Sequence, residues 1–166
     1  MEKKERRRVR RYWYDDRVGH MGKWRGVQSR PRMVYNVIVL KLAERIPFHW
    51  LKAAVLRKTG MRIGKNVMIH PSVHFDSIFP GMIEIGDNTV IGYGTTILSH
   101  ELLVEEYRKG PVRIGRNVMI GALCLVLAGV SIGDNSVVGA YSLVNRDVGE
   151  RELAAGVPAR TIKKLG

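Results

Sequence analysis

The chain has 166 residues, 45% of them hydrophobic, and a single cysteine, Cys124. That length suffices for one domain with its own core, and that hydrophobic content argues against disorder. One cysteine excludes an intramolecular disulfide and a thiolate metal cluster, and it fits a reducing compartment.

The net charge of +13 is unevenly placed: residues 1–32 hold 12 Lys/Arg against 4 Asp/Glu, and the remaining 134 hold 16 against 11. Residues 1–32 therefore read as a basic arm. Such an arm meets nucleic acid, anionic lipid or an acidic partner, or it lies on its own domain. Tyr12, Trp13, Tyr14 and Trp24 interrupt the charge. Aromatics among arginines stack on bases or pin an arm to its own fold; the second is expected here. Nucleic acid is not the expected partner, and peripheral membrane contact stays open. No apolar signal-peptide core follows the basic start. The longest apolar run, 33–42, is far short of the ~20 residues that span a bilayer, so a soluble, cytoplasmic protein is expected.

Residues 33–60 read as a helical segment. MVYNVIVLKLAERI suggests a mostly buried helix that Pro47 stops. FHWLKAAVLRKTG follows, with Phe48, Leu51 and Val55 on one helical face and Gly60 as its stop. Two short helices ahead of a repeat are placed to cap its open end.

From Ile63 the period becomes six. Twelve hexads begin with Ile63, Ile69, Phe75, Ile85, Ile91, Ile97, Ile114, Ile120, Val126, Ile132, Val138 and Val144, and Gly follows in seven of them. The fifth position is small or β-branched except at Phe79 and Glu101. Neither a helix nor a single strand repeats at six. A short strand plus a corner does, and three such units close one triangular coil. The first hexad of each coil reads I-G-x-N, from Ile63, Ile85, Ile114 and Ile132. The reading is a mainly β fold, a parallel β-helix of about four coils over 61–149, with a C-terminal segment at 150–166. Two insertions break the count, one between Phe75 and Ile85 and a longer one that includes a loop at 101–113. Insertions at solenoid corners are where function tends to sit.

Three stretches together now carry a resemblance: the hexads, ILSHELLVEEYRKGPVRIG at 97–115, and AGVPARTIKKL at 155–165. Over about 61–166 the chain resembles the hexapeptide-repeat acyltransferases, the left-handed β-helix family. Within it, it is similar to the maltose, galactoside and nodulation-type O-acetyltransferases and to capsule and lipopolysaccharide-associated acetyltransferases. The resemblance implies left-handed winding, a homotrimer, and acetyl-CoA as co-substrate in a groove between two subunits. It also implies a catalytic His beside the protruding loop; no spacing in the sequence suggests a metal site.

Carried over residue by residue, His100 matches the catalytic His, a general base for an acceptor hydroxyl. Asp76 and Glu101 are both placed to orient its ring, and the sequence does not choose between them. His74, Asp76 and Glu101 are the expected acceptor contacts. Gly121 and Ala122 match the segment beside the thioester, where relatives often carry Ser in place of Ala122. Ala140, Asn145 and Arg146 match positions lining pantetheine and adenosine. Arg160 and Lys163 match basic phosphate contacts, with Gly156 and Pro158 shaping the turn before them. In the loop, Leu102, Leu103 and Tyr107 are expected against a neighbouring subunit, and Glu105, Glu106 and Arg108 toward an acceptor. Cys124 fills a fifth-position slot and is expected to pack.

The resulting expectation is an acetyl-CoA-dependent O-acetyltransferase acting on a sugar or glycan hydroxyl through a direct ternary complex. N-acetylation is the near alternative. A γ-type carbonic anhydrase would need three metal-binding histidines, and His70, His74 and His100 lack that spacing. A non-catalytic scaffold with a binding arm is the third reading.

Overall fold

The structure is a computed structural model describing residues 7–13 and 28–166. Tyr14 and Trp24 of the arm lie outside the described residues.

The hexads form three parallel sheets. On the first face β2 (Arg62–Ile63), β5 (Ile83–Ile85), β10 (Val112–Ile114) and β13 (Ser131–Ile132) stack in order. The second face holds β3 (Met68–Ile69), β6 (Val90–Ile91), β11 (Met119–Ile120), β14 (Val137–Val138) and β16 (Glu152–Gly156), with β17 (Ala159–Lys164) antiparallel at its edge. The third holds β4 (His74–Phe75), β7 (Thr96–Ile97), β12 (Leu125–Val126) and β15 (Leu143–Val144). Register places each leading residue on its equivalent one coil away: Ile85 pairs with Ile63, Ile120 with Ile91, and Val126 with Val144. Stacking runs past the fourth coil, because Val148 bridges Ile132 and Ala154 pairs with Val138.

The period follows from what each position must do. Leading residues point inward, and all are buried except the half-buried Phe75. Second-position glycines lie where coil backbones touch: a Cβ on Gly86 would stand 2.6 Å from the Gly115 carbonyl. Fourth positions turn through left-handed backbone, with φ of 53° at Asn66, 56° at Asn88, 55° at Asn117 and 59° at Asn135. Asn tolerates that region better than other L-residues. Its side chains also form a ladder, Asn66 to Asn88 at 3.2 Å, Asn88 to Asn117 at 3.2 Å and Asn117 to Asn135 at 3.0 Å. Polar fifth positions satisfy themselves on corner carbonyls: Thr95 Oγ1 donates to Gly121 O at 2.8 Å, and Ser142 Oγ to Gly139 O at 2.6 Å. Cys124 packs in the same row, and burial pushes its thiol up, against hydrogen bonds that lower it.

Helices α1 (Arg30–Glu44) and α2 (His49–Arg57) precede the solenoid. α2 caps the first coil, its Ala53 and Leu56 joining Met61, Ile63 and Ile69 in one core. The expectation that the first helix is mostly buried fails. Only Asn36, Val39, Leu40 and Ala43 of α1 are buried, whereas Val34, Val37, Ile38 and Leu42 are exposed. A single short helix offers one face to a narrow solenoid end, so its second apolar stripe finds no partner among the described residues. No described helix is long and apolar enough to cross a membrane.

Residues 7–13 of the arm do lie on their own domain. Strand β1 (Arg10–Trp13) adds antiparallel to a hairpin of β8 (His100–Leu102) and β9 (Glu106–Lys109), giving a sheet in the order β1-β9-β8. The Tyr12 and Tyr107 rings stack at 4.6 Å between centroids. Tyr107 thus packs on the protomer's own arm rather than being left for a neighbour.

The solenoid core rests on these inward columns. Ile120→Ala, in the middle of the second face, is expected to cost about 2–5 kcal/mol, read as a lower denaturant midpoint.

Candidate active site

Both insertions leave the solenoid at the edge after the third face, and one carboxylate joins them. Asp76, directly after β4, is 1% exposed. Its Oδ1 accepts the N–H groups of Ile78 at 2.8 Å and Phe79 at 2.9 Å, closing the first insertion on itself. Its Oδ2 accepts the N–H groups of Ser99 at 2.8 Å and His100 at 2.9 Å, which begin the second. Ser99 Oγ donates to Phe79 O at 2.8 Å, a second tie between them.

The same Oδ2 meets Nδ1 of the His100 imidazole. Facing an ionised carboxylate, Nδ1 carries the proton and Nε2 keeps its lone pair. Among the described residues Nε2 has no hydrogen-bond partner. The ring is 14% exposed on its side chain, and the Phe79 ring stands edge-on to it at 6.0 Å. Burial by itself raises the Asp76 pKa. The hydrogen bond and charge of His100, with the N–H groups of Phe79 and Ser99, outweigh it and hold the carboxyl below its usual value.

The expected acceptor contacts have these surroundings. Asp76 is turned inward with both oxygens occupied, so it presents nothing to an incoming molecule; this corrects its expected place among the acceptor contacts. Glu101 points away from the His100 ring: its Oε1 pairs with Arg7 at 2.6 Å and its Oε2 is buried without a partner. His74 is half-exposed, with Nδ1 3.5 Å from Glu44 Oε1. It lines a separate cavity of about 280 Å³ between the helices and the first coil, with Lys52, Glu44 and His70. Lys52 donates to Ile69 O at 3.3 Å there, and burial pulls its pKa down against the charge of Glu44. Within the loop, Arg108 pairs with Glu106 at 2.5 Å instead of reaching outward. Among the described residues no group of three or more His, Cys, Asp or Glu could hold a metal ion.

The remaining expected site residues fall on two edges. Asn145 and Arg146 follow β15, on the His100 edge two coils further along. Among the described residues Asn145 Oδ1 is buried with no hydrogen-bond partner. Gly121, Ala122 and Ala140 lie instead at the edge between the second and third faces. A Cβ on Gly121 would stand 2.5 Å from the Ala140 nitrogen, so the backbones there are in contact. The Ala122 N–H has no acceptor among the described residues. Arg160 stands across from Ala155, whose methyl lies against Gly139 on that same edge. Lys163 is exposed further along β17. Within one chain, then, His100 and the Ala122 edge are held apart by the third face.

Phe79, Lys109 and the arm residues Arg7 and Tyr12 were not among the expected site residues. Phe79 had left a signal, as one of two breaks in the fifth-position pattern. The break marks where the chain stops serving the core and turns toward His100.

Comparisons with known proteins bear on the family and the fold. The family described as "Bacterial transferase hexapeptide (six repeats)" matches residues 111–146. YvoF of Bacillus subtilis (strain 168), named as a candidate acetyltransferase, is 44% identical over 145 residues, covering 84% of this chain and 83% of its own. The galactoside O-acetyltransferase of Escherichia coli (strain K12) is 32% identical over 139 residues, covering 69% and 68%. Among solved structures, a galactoside acetyltransferase in complex with coenzyme A superposes with a TM-score of 0.67 at 26% identity, covering 82% of each chain. A hexapeptide-repeat acetyltransferase of Vibrio cholerae O1 biovar eltor, complexed with acetyl-CoA, shares the fold at a TM-score of 0.71 and 24% identity, covering 82% of this chain and 88% of that one.

Asp76 gives a test in pH. Its folded pKa lies below the unfolded one, so its stabilisation is complete above about pH 4 and is lost as pH falls through the folded value. Asp76→Asn is expected to cost about 3 kcal/mol at pH 7. In denaturant titrations the parent's advantage should shrink only below about pH 4.

Proposed function

This chain belongs to the bacterial hexapeptide-repeat transferases and is an acetyltransferase, and we propose that it moves the acetyl group of acetyl-CoA to a hydroxyl of a sugar or glycan-type acceptor. The observation that carries the reading is His100, with Nδ1 held by a buried carboxylate and Nε2 left free.

His100 Nε2 takes the hydroxyl proton as the acceptor oxygen attacks the thioester carbonyl. Asp76 fixes the tautomer and balances the imidazolium that forms. The new C–O bond closes, the C–S bond breaks, and His100 returns the proton to the departing sulfur. Both substrates are bound together, with no acyl-enzyme; Cys124 is buried and its thiol raised, so it offers no nucleophile. The free N–H of Ala122 is placed to receive the thioester oxygen as it gains charge. The orphan Oδ1 of Asn145 suits an amide N–H of the pantetheine arm. Arg146, Arg160 and Lys163 supply cations for the phosphates.

Because His100 and Ala122 stand on different edges, one protomer does not assemble this set. The working unit is an assembly of copies, a left-handed homotrimer as the resemblance implies, in which the His100 edge of one chain faces the Ala122 edge of the next. The relatives named for galactoside acetylation support a sugar acceptor.

Replacing His100 by Ala is expected to lower kcat by about 10²–10⁴ with acetyl-CoA affinity retained, whereas Arg160→Ala should weaken acetyl-CoA binding in calorimetry. Absence of acetyl-CoA binding by the folded parent would remove the donor from this account.

A further inference from the structure

We infer that the arm and the hairpin form an anion-binding subsite beside His100, and that the acceptor carries a carboxylate or phosphate. This rests on the function proposed above. Three residues carry the argument. His100 is directly across from Lys109, and Lys109 is directly across from Arg10, in the sheet β1-β9-β8. Directly opposed residues in antiparallel strands put their side chains on one face. A row therefore runs from the base to two cations. Its spacing is that of neighbouring strands, about 5 Å per step.

The side-chain contacts agree with that row. Lys109 Nζ lies 4.9 Å from the Tyr12 ring centroid and 4.8 Å from that of Phe79. Phe79 is the ring that stands against His100. The ammonium is thus held near the base between two aromatic faces, which favour a cation without neutralising it.

Like charges directly opposed across strands are destabilising, and among the described residues this pair has no counter-charge. The nearby carboxylates among the described residues are taken: Glu101 pairs with Arg7 at 2.6 Å, Glu106 with Arg108 at 2.5 Å and Asp147 with Arg8 at 2.8 Å. Glu105 sits in the hairpin turn. Among the described residues neither Arg10 nor Lys109 has an ion-pair partner. Both line a groove of about 690 Å³ together with Arg8, Tyr12, Met82 and Pro111, large enough for a sugar unit. An anion bound between them relieves the repulsion, and a hydroxyl one or two strand spacings away then reaches His100. Arg10 comes from the N-terminal arm, so the arm acts as a wall of the acceptor site and sets its charge preference.

The test is calorimetry on the full chain saturated with CoA, titrated with methyl glucuronide and glucose 6-phosphate, and with methyl glucoside as the neutral control. The expected result is binding of the anions about tenfold to a hundredfold tighter than the neutral sugar, a preference lost in Lys109→Gln and Arg10→Gln. Equal binding of all three, no binding of either anion, or an anion preference indifferent to both substitutions overturns the proposal. So does a loss of CoA affinity in these variants, since the groove would then serve the donor's phosphates. The parent's own CoA affinity, measured in the same experiment, reports separately on the proposed donor.

Discussion

The geometry of this site depends on one buried carboxylate. Asp76 stands where the third face of the first coil ends, and it receives four backbone N–H groups and one imidazole nitrogen. An ionised carboxylate taken out of water is costly unless it is fully bonded, and here the bonds come from both insertions. The cost of burial and the placement of His100 are therefore coupled. Losing the His partner leaves a charge underserved, and losing the carboxylate frees two loops at once. The solenoid supplies the rigid edge from which both loops spring, and Asp76 turns that edge into a defined position for a ring.

The solenoid sets the second constraint. Its cross-section has three edges, and the close backbone approach at Gly86 and Gly121 leaves no room for side chains between coils. Anything that binds must lie along an edge. Among the described residues the His100 edge carries an imidazole nitrogen without a partner and an orphan amide oxygen at Asn145, while the edge at Gly121, Ala122 and Ala140 carries an unpaired N–H at Ala122 and the approach to Arg160. In the function proposed above, these are complementary halves of one acyl-transfer site. Within one chain a face of the triangle separates them, so the proposed catalysis requires that copies meet.

Much of this was legible in the sequence. The six-residue period follows from Gly and Asn performing fixed tasks at fixed corners, and His100 stood out because it opens the longer break in that period. What stayed hidden depended on which groups meet across long separations. Asp76 and Glu101 looked equivalent as partners for His100; burial and the two converging loops distinguish them, and Glu101 instead meets Arg7, 94 residues away. The arm's aromatics hinted at docking, but the register that sets Arg10 across from Lys109 is a tertiary fact. For the first helix an apolar composition suggested burial, yet one cap position buries only one stripe. His74 matched an acceptor contact by position, and the sequence did not show that it lines the cavity beside Glu44.

The central claim is that one chain's His100 edge works with another chain's Ala122 edge. The direct measurement is complementation between His100→Ala and Ala122→Trp, each inactive alone, co-expressed so that mixed assemblies form. If the site is shared between copies, random mixing restores intact sites at about a quarter of the interfaces, and acetyl transfer returns to about a quarter of the parent rate. If mixed assemblies form and stay as inactive as the single variants, both halves belong to one chain and the account is wrong.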